Sequence, residues 1–444
     1  HLAGRYYICT TFVVQRSTSV IQRTTFVLPL YYMPAIWPNG GNKMTPYGFD
    51  QKDMLFVDGG RSNWKIITGD KVQYLLPNVI GLGDLDIEVV TSKAFQDSNS
   101  SDVTQFPPIL LFEYEGNIYG IGDEVYTYYG GDIRNNRVDV PGRMDVKFDD
   151  PNYMAMFAAV VAFLGRRGTG RIHVDITLPP DPFKNLDLRS EIEEKLRKPY
   201  TVKFLNGPYA DRPPFTAVVD SVKIRCEAVS AFYDVLLTDA ERPAIRMEST
   251  KLMAAADPGD IKKHRPVRVG IIGIGGHTVN LATFLKGVPQ GSTLYSINDL
   301  GMNTAYEQIR LRLRDVTGKN MTMAETLAAV QYSEYFYAGQ KILLDPYKEN
   351  EFGVLATQIY DLVTRDFWRD VFDSLEYLVL YGGGANDLLP AFRKVFGDIK
   401  ALTDRNRFLV SPQPLWSDVI GMRKRHLLEM QDLEKRGLIN VATN

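Results

Sequence analysis

Two stretches of this chain repeat one pattern: an apolar strand, a glycine turn and a return strand. The first reads Met54-Leu-Phe-Val-Asp-Gly-Gly-Arg-Ser-Asn-Trp-Lys65. The second reads Val269-Gly-Ile-Ile-Gly-Ile-Gly-Gly-His-Thr-Val-Asn-Leu-Ala-Thr-Phe284. Glycine admits the φ angles of tight turns and lets backbone N–H groups close around an anion. One such turn is an ordinary hairpin. Two in the same strand–turn–strand setting predict two similar domains facing one another across a cleft.

The residues at these turns carry phosphate chemistry. The first strand delivers Asp58 to its end, where a carboxylate can hold Mg²⁺ directly or through water. Gly59, Gly60, Ser62 and Asn63 form the turn and offer N–H groups and a hydroxyl to phosphate oxygens. Lys65 on the return strand supplies a point charge for β/γ phosphates. In the second hairpin Gly275, Gly276, His277 and Thr278 make the turn, and Gly273 occupies the strand end where an acid would be wanted. A third segment, Tyr377-Leu-Val-Leu-Tyr-Gly-Gly-Gly-Ala-Asn386, ends a strand in Gly382, Gly383 and Gly384 and opens a helix. Such a turn lets a flat base or ribose lie close, beside the positive end of a helix. Read alone, it is equally a tight strand-to-helix turn.

Composition narrows the partners. Of 444 residues, 45% are hydrophobic and 23% charged, with a net charge of −2. That balance argues against a broad nucleic-acid-binding face. Cys9 and Cys226 make neither a disulfide framework nor a metal-binding spacing, which fits a reducing cytoplasm. No stretch reaches membrane-spanning length, and the apolar run 26–37 lacks a clean cleavage signal.

From Met54 onward strands alternate with helices, the pattern of layered α/β domains. Strands are predicted at 54–57, 109–114, 172–178, 269–274, 292–297 and 375–380. Helices are predicted at 152–164, 302–316, 323–330, 354–372 and 386–396. Residues 1–53 lack either periodicity and read as an irregular extension. Two polar stretches, 92–108 and 239–268, read as surface loops. The basic run Lys262-Lys-His-Arg265 lies in the second and reads as solvated loop. The mixed-charge segment 422–438 reads as an amphipathic helix lying on the protein surface. There is no Ser/His/Asp arrangement and no P-loop signature.

In order and kind, the three glycine motifs resemble those of the actin, heat-shock-chaperone and sugar-kinase ATPase superfamily. Within it the resemblance is greatest to the bacterial plasmid-segregation ParM (StbA) family. Thr177-Leu-Pro179, Val222-Lys-Ile-Arg-Cys-Glu-Ala-Val-Ser-Ala-Phe-Tyr-Asp234, Asn298-Asp-Leu-Gly301 and Asp418-Val-Ile-Gly-Met422 also fit, so the resemblance runs from Met54 to the C-terminus. It implies an actin-like, ribonuclease H-like α/β fold: domain I at 54–225 with 420–444 returning to it, and domain II at 226–419. It further implies ATP (or GTP) with Mg²⁺ in the cleft. Asp58 would be the Mg²⁺-linked acid, and Gly59, Gly60, Ser62, Asn63 and Lys65 would contact phosphate. Gly275, Gly276, His277 and Thr278 would grip the phosphates, Gly301 and Gly382 to Gly384 would line the nucleoside, and Glu227 would polarise the attacking water.

The chain departs from the family pattern at two places, with Gly273 and Asn280 where the second hairpin carries acids. Losing a positioning acid slows proton chemistry by about 10²–10⁴-fold, while backbone N–H groups still grip the phosphate. The resemblance implies a cytoplasmic protein that assembles with itself into ATP-dependent filaments. A DNA-bound adaptor would be its other partner, with no direct nucleic-acid or membrane contact. A non-hydrolysing actin-like scaffold and a small-molecule kinase of the same superfamily are the alternatives.

Overall fold

The computed structural model describes residues 51–83, 105–129, 138–139, 147–238, 246–247, 268–397 and 408–436. The chain separates into two compact units, His1–Met44 and Thr45–Asn444, and every described residue belongs to the second. Residues 1–50 of the expected extension, Cys9, the run at 262–265 and most of the polar stretches 92–108 and 239–268 lie outside the described residues.

Apolar runs build two sheets. The first holds β1 (Met54–Gly59), β2 (Asn63–Thr68), β3 (Gln73–Pro77), β4 (Ile80–Leu82), β5 (Leu110–Tyr114), β6 (Asn117–Ile121), β7 (Val138–Asp139), β8 (Arg171–Leu178), β9 (Pro199–Phe204) and β10 (Phe215–Cys226). They are arranged β3-β2-β1-β8-β10-β9-β5-β6-β4-β7. A short ladder of β11 (Leu237–Thr238) with β12 (Arg246–Met247) separates it in sequence from the second sheet. That sheet holds β13 (Arg268–Ile274), β14 (Thr278–Leu285), β15 (Val288–Pro289), β16 (Tyr295–Asn298), β19 (Tyr377–Tyr381) and β20 (Phe408–Val410), in the order β15-β14-β13-β19-β20 with β16 also on β14. Between β16 and β19 the chain forms a separate hairpin, β17 (Glu334–Tyr337) with β18 (Gln340–Leu343).

The two sheets share one central strand arrangement. In each, an antiparallel hairpin leads into two parallel strands: β2-β1-β8-β10 in the first, β14-β13-β19-β20 in the second. This duplication is the expected pair of similar α/β halves.

Ten helices among the described residues flank the sheets: α1 (Val125–Tyr129), α2 (Pro151–Gly165), α3 (Pro180–Lys184), α4 (Leu186–Leu196), α5 (Glu227–Leu236), α6 (Met302–Thr317), α7 (Met323–Tyr332), α8 (Asp345–Leu362), α9 (Ala385–Val395) and α10 (Ser417–Lys435). Helix α2 starts at Pro151 behind Asp150, which accepts from Asn152 N at 2.8 Å, a proline-led N-cap. Nearly all of α2 is buried against the first sheet, which explains its unbroken apolar sequence.

Three expectations shift. Residues 291–293 are a 3₁₀ turn, so strand β16 begins at Tyr295. Helix α8 starts at Asp345, ahead of 354; its first turns are mostly polar and leave no apolar periodicity to read. It ends in a π turn at Val363–Phe367, closed by Trp368 N on Val363 O at 2.9 Å. Helix α10 starts at Ser417 and is a core element: Val419, Met422, Arg423, Lys424 and His426 are all buried. Its charges are buried because they are paired. Lys424 Nζ lies 2.9 Å from Asp234 Oδ1, and Arg423 donates to Gly69 O at 3.3 Å. Gly421 crosses α5 so closely that a side chain there would strike Ser230 O. Beneath α10, the inward face of β8 is polar. His173 Nε2 and Arg225 Nε meet the Asp175 carboxylate at 2.6 and 2.8 Å, and Arg225 Nη1 meets Glu429 of α10 at 2.7 Å.

Candidate functional site

The registers of the two hairpins set the site. Asp58 lies opposite Lys65 in the β1–β2 pair, and Gly273 lies opposite Asn280 in the β13–β14 pair. The first position is an ion pair, with Lys65 Nζ 2.6 Å from Asp58 Oδ2; its counterpart in the second hairpin carries no charge.

Lys65 holds a second carboxylate: its Nζ lies 2.5 Å from Asp418 Oδ2 in the first turn of α10. Thr177 Oγ1 at the end of β8 donates to Asp58 Oδ1 at 3.1 Å. Burial alone would raise the Asp58 pKa, but Lys65 outweighs it and holds Asp58 below its usual value. Burial has the larger say at Asp418, where it is reinforced by Asp58, only partly offset by Lys65, and pushes the carboxyl up to about 7. Lys65 itself stays charged: Asp418 and Asp58 outweigh its burial and raise its pKa.

Glu227 is the first residue of α5, set directly at the end of β10. It accepts from Asn280 Nδ2 at 2.5 Å. Burial, with Asp58 and Asp418 adding to it, pushes Glu227 up to about 8. Lys147 donates to Gly59 O at 3.4 Å, and burial lowers its pKa.

The glycine turns meet. A Cβ on Gly276 would lie 2.7 Å from Ser62 Oγ, so the second turn abuts the first. Gly275 N closes its hairpin on Thr278 O at 2.9 Å. The leading N–H groups of α6, on Met302 and Asn303, donate to Gly275 O and Gly276 O at 3.0 and 2.8 Å. The N–H groups of Gly60, Arg61, Ser62, Gly276 and His277 donate to no backbone carbonyl among the described residues. Arg61 Nε is likewise buried without a hydrogen-bond partner. Such donors suit an anion placed between the turns. Asn63 begins β2 beside them. His277 is not aimed freely at this space: its Nε2 lies 2.9 Å from Asn303 Nδ2, and burial, then Arg61, lowers its pKa.

The remaining candidates gather at the end of β13. Gly301 caps α6 against the carbonyls of Gly275 and Gly276. Gly384 N donates to Ile274 O at 3.0 Å, and Gly382 takes φ +90°, a conformation that favours glycine. Gly383 lies between them.

Sequence reading missed four side chains here: Asp418, Lys147, Tyr153, whose hydroxyl abuts Gly59, and Tyr381, whose ring abuts Gly273. Asp418 had a signal, being an acid at the start of a helix whose segment matched the superfamily. Tyr381 also had one, standing directly before the glycine run. Lys147 and Tyr153 had none.

A duplicated half of this kind, with two glycine-turn hairpins that meet, is the actin-like fold. Residues 271–394 match the family described as archaeal actin homologue MreB-like, C-terminal. Among solved structures, the chain resembles a subunit of a 15-stranded ParM filament from Clostridium botulinum, at 16% identity and a TM-score of 0.62 over 85% of this chain and 99% of that one. It resembles the actin-like protein Alp7A at 13% identity and a TM-score of 0.61, over 86% of this chain and 99% of that one. The archaeal actin homologue Ta0583, in complex with ADP, matches at 14% identity and a TM-score of 0.57, over 84% of this chain and 98% of that one. Among curated proteins no sequence relative is found. No described helix is long and apolar enough to cross a membrane.

Proposed function

We propose that this chain binds ATP, or GTP, with Mg²⁺ and assembles with itself into cytoplasmic filaments of the plasmid-segregating kind. The observation that carries the reading is the pair of opposed glycine turns, with free backbone N–H groups and with Asp58 and Lys65 beside them. In this reading the cleft divides 54–225, with 420–444 returning to it, from 226–419.

The residues present fit a Mg²⁺–nucleotide. Bound Mg²⁺ would neutralise phosphate charge. Asp58 would hold it, directly or through water. Gly59, Gly60, Ser62 and Asn63 would bind phosphate oxygens from one side, and Gly275, Gly276, His277 and Thr278 from the other. Lys65 would leave Asp418 for phosphate. Gly301 and Gly382, Gly383 and Gly384 would line the nucleoside. Glu227, kept close to neutral pH in its pKa, would accept a proton from the attacking water.

Self-assembly is supported by the likeness to a filament subunit. It is also supported by the large apolar side chains left in solvent around the β17–β18 hairpin, Tyr332, Phe336 and Leu343. A DNA-bound adaptor would complete segregation, consistent with a net charge of −2. A second reading, a scaffold that holds nucleotide without cleaving it, is favoured by the uncharged Gly273–Asn280 pair.

Light scattering with simultaneous phosphate release on adding Mg²⁺-ATP tests both. Scattering followed by phosphate release and decay supports a dynamic filament. Scattering that persists without phosphate supports the scaffold. No scattering under any nucleotide sinks the filament.

A further inference from the structure

Tyr381 ends β19 in parallel register with Gly273 of β13. A Cβ built on Gly273 would collide with Cζ and Oη of Tyr381, so the phenol fills the volume a side chain at 273 would need. The first sheet treats the same place differently. There Asp58 stands one residue before the end of β1, and the hydroxyl of Thr177, on the adjacent parallel strand, donates to it at 3.1 Å. One half pairs an acid with a small hydroxyl residue; the other pairs a glycine with a large one. The large residue takes the space that the missing side chain leaves, and in both halves the neighbouring strand brings a hydroxyl to the strand end.

The two hydroxyls differ in what they meet. Thr177 has Asp58. Tyr381, 3% exposed, has its hydroxyl within reach of the Asn280 side chain, but Asn280 gives its Nδ2 to Glu227, and neither the phenol nor Asn280 Oδ1 makes a hydrogen bond of good geometry among the described residues. A buried phenol without an acceptor is costly, and the usual explanation is a partner that arrives from elsewhere. Burial, then the charges of Glu227 and Asp418, raises the Tyr381 pKa well above that of an ordinary tyrosine. It is therefore a donor at any working pH, and what it wants is an anionic acceptor.

We propose that Tyr381 is the residue by which the second half of the site reads the terminal phosphate, its hydroxyl donating to a γ-phosphate oxygen. The inference rests on the nucleotide reading above. A carboxylate at position 273 would repel that phosphate unless a cation stood between them. The phenol reaches it directly as a neutral donor. Tyr381 is thus a specificity-determining residue: it favours nucleoside triphosphate over diphosphate, and does so without Mg²⁺.

Calorimetric titration of the full chain with ATP and with ADP, each in Mg²⁺ and in EDTA, tests this on wild type and Y381F. Removing Oη while keeping the ring should lower ATP affinity about tenfold, the worth of one hydrogen bond to a charged group, and leave ADP affinity within about twofold. The loss should appear in EDTA as well as in Mg²⁺. Gly273→Ala, which forces the phenol aside, should reproduce it, with Y381F deciding if that variant does not fold. Equal ATP affinity in wild type and Y381F, or an equal loss for ATP and ADP, overturns the proposal. Wild type that binds neither nucleotide overturns the nucleotide reading itself, and Tyr381's part falls with it.

Discussion

Asn280 donates from Nδ2 to Glu227 Oε2 at 2.5 Å, joining the return strand of the second hairpin to the first residue of α5. The carboxyl so held is pushed up to about 8, chiefly by burial, from an ordinary 4.5. A raised folded-state pKa favours the protonated form, so stability present below about 4.5 is lost as pH rises toward 8. Glu227→Gln keeps an acceptor for Asn280 and removes the charge. It should stabilise the nucleotide-free chain by about 1–3 kcal/mol at pH 8 and by much less at pH 5, measured by urea unfolding. ATP binding should survive in this variant, while phosphate release falls by about 10²–10⁴-fold.

Lys65 neutralises two carboxylates at once, which makes it the costliest residue to remove. Lys65→Ala leaves Asp58 and Asp418 buried and unpaired and should destabilise the chain by about 3–5 kcal/mol. Adding Asp418→Asn should recover part of that loss. A double-mutant cycle on unfolding free energies reads the coupling, and strict additivity would show that Asp418 is not bound to Lys65 in solution.

The Asp418 carboxyl is pushed up to about 7, mainly by burial, so its charge changes around neutral pH. Above 7 its charge competes for Lys65 and repels phosphate. ADP affinity in EDTA should therefore fall as pH rises from 6 to 8, and Asp418→Asn should flatten the profile. A wild-type affinity independent of pH would refute this.

Restoring an acid at position 273 alone should fail. Gly273→Asp overlaps the Tyr381 ring and should cost about 1–3 kcal/mol of stability, as overpacking does. The double change Gly273→Asp with Tyr381→Thr copies the Asp58–Thr177 arrangement of the first sheet. It should fold like wild type by thermal melting and release phosphate faster on Mg²⁺-ATP. A double variant no more stable than Gly273→Asp would show that the two positions do not share one volume.

His426 carries both ring nitrogens buried and, among the described residues, without a hydrogen bond of good geometry, Nδ1 lying 3.6 Å from Asp175. It faces Asp175, His173 and Arg225, and burial lowers its pKa below 6.5. A depressed folded-state pKa gives stability that is present above 6.5 and lost as pH falls below it. Replacing it with Phe, which preserves the edge contact with Phe56, should remove about 1 kcal/mol of the loss between pH 7 and 5.5 in urea unfolding.

The sequence made the hairpins legible because glycine turns and strand-end acids are local signals. Asp58, Lys65, Gly275 and Gly276 stand where the pattern put them. The departure at Gly273 was legible too, but its cause was not. Tyr381 lies more than a hundred residues along the chain, and only the parallel register of β13 with β19 brings the two together. Helix α10 was misjudged for a related reason. Mixed charge reads as solvent exposure, yet Lys424 and Asp234 are buried by meeting each other, a pairing no local pattern can reveal.

The course of α10 has a mechanical consequence. Its first turn lies in the site, through Asp418 on Lys65, and its fourth turn grips Arg225 of β10, through Glu429. Between them Gly421 rests backbone to backbone on α5. The helix is a rod held at both ends with a fulcrum near its start. If a phosphate drew Lys65 away from Asp418, as the nucleotide reading requires, that end of the helix would be released while Glu429 still held Arg225. The short arm could then swing about Gly421, and the strain would pass along the helix to its grip on Arg225 of β10 without any strand having to slide.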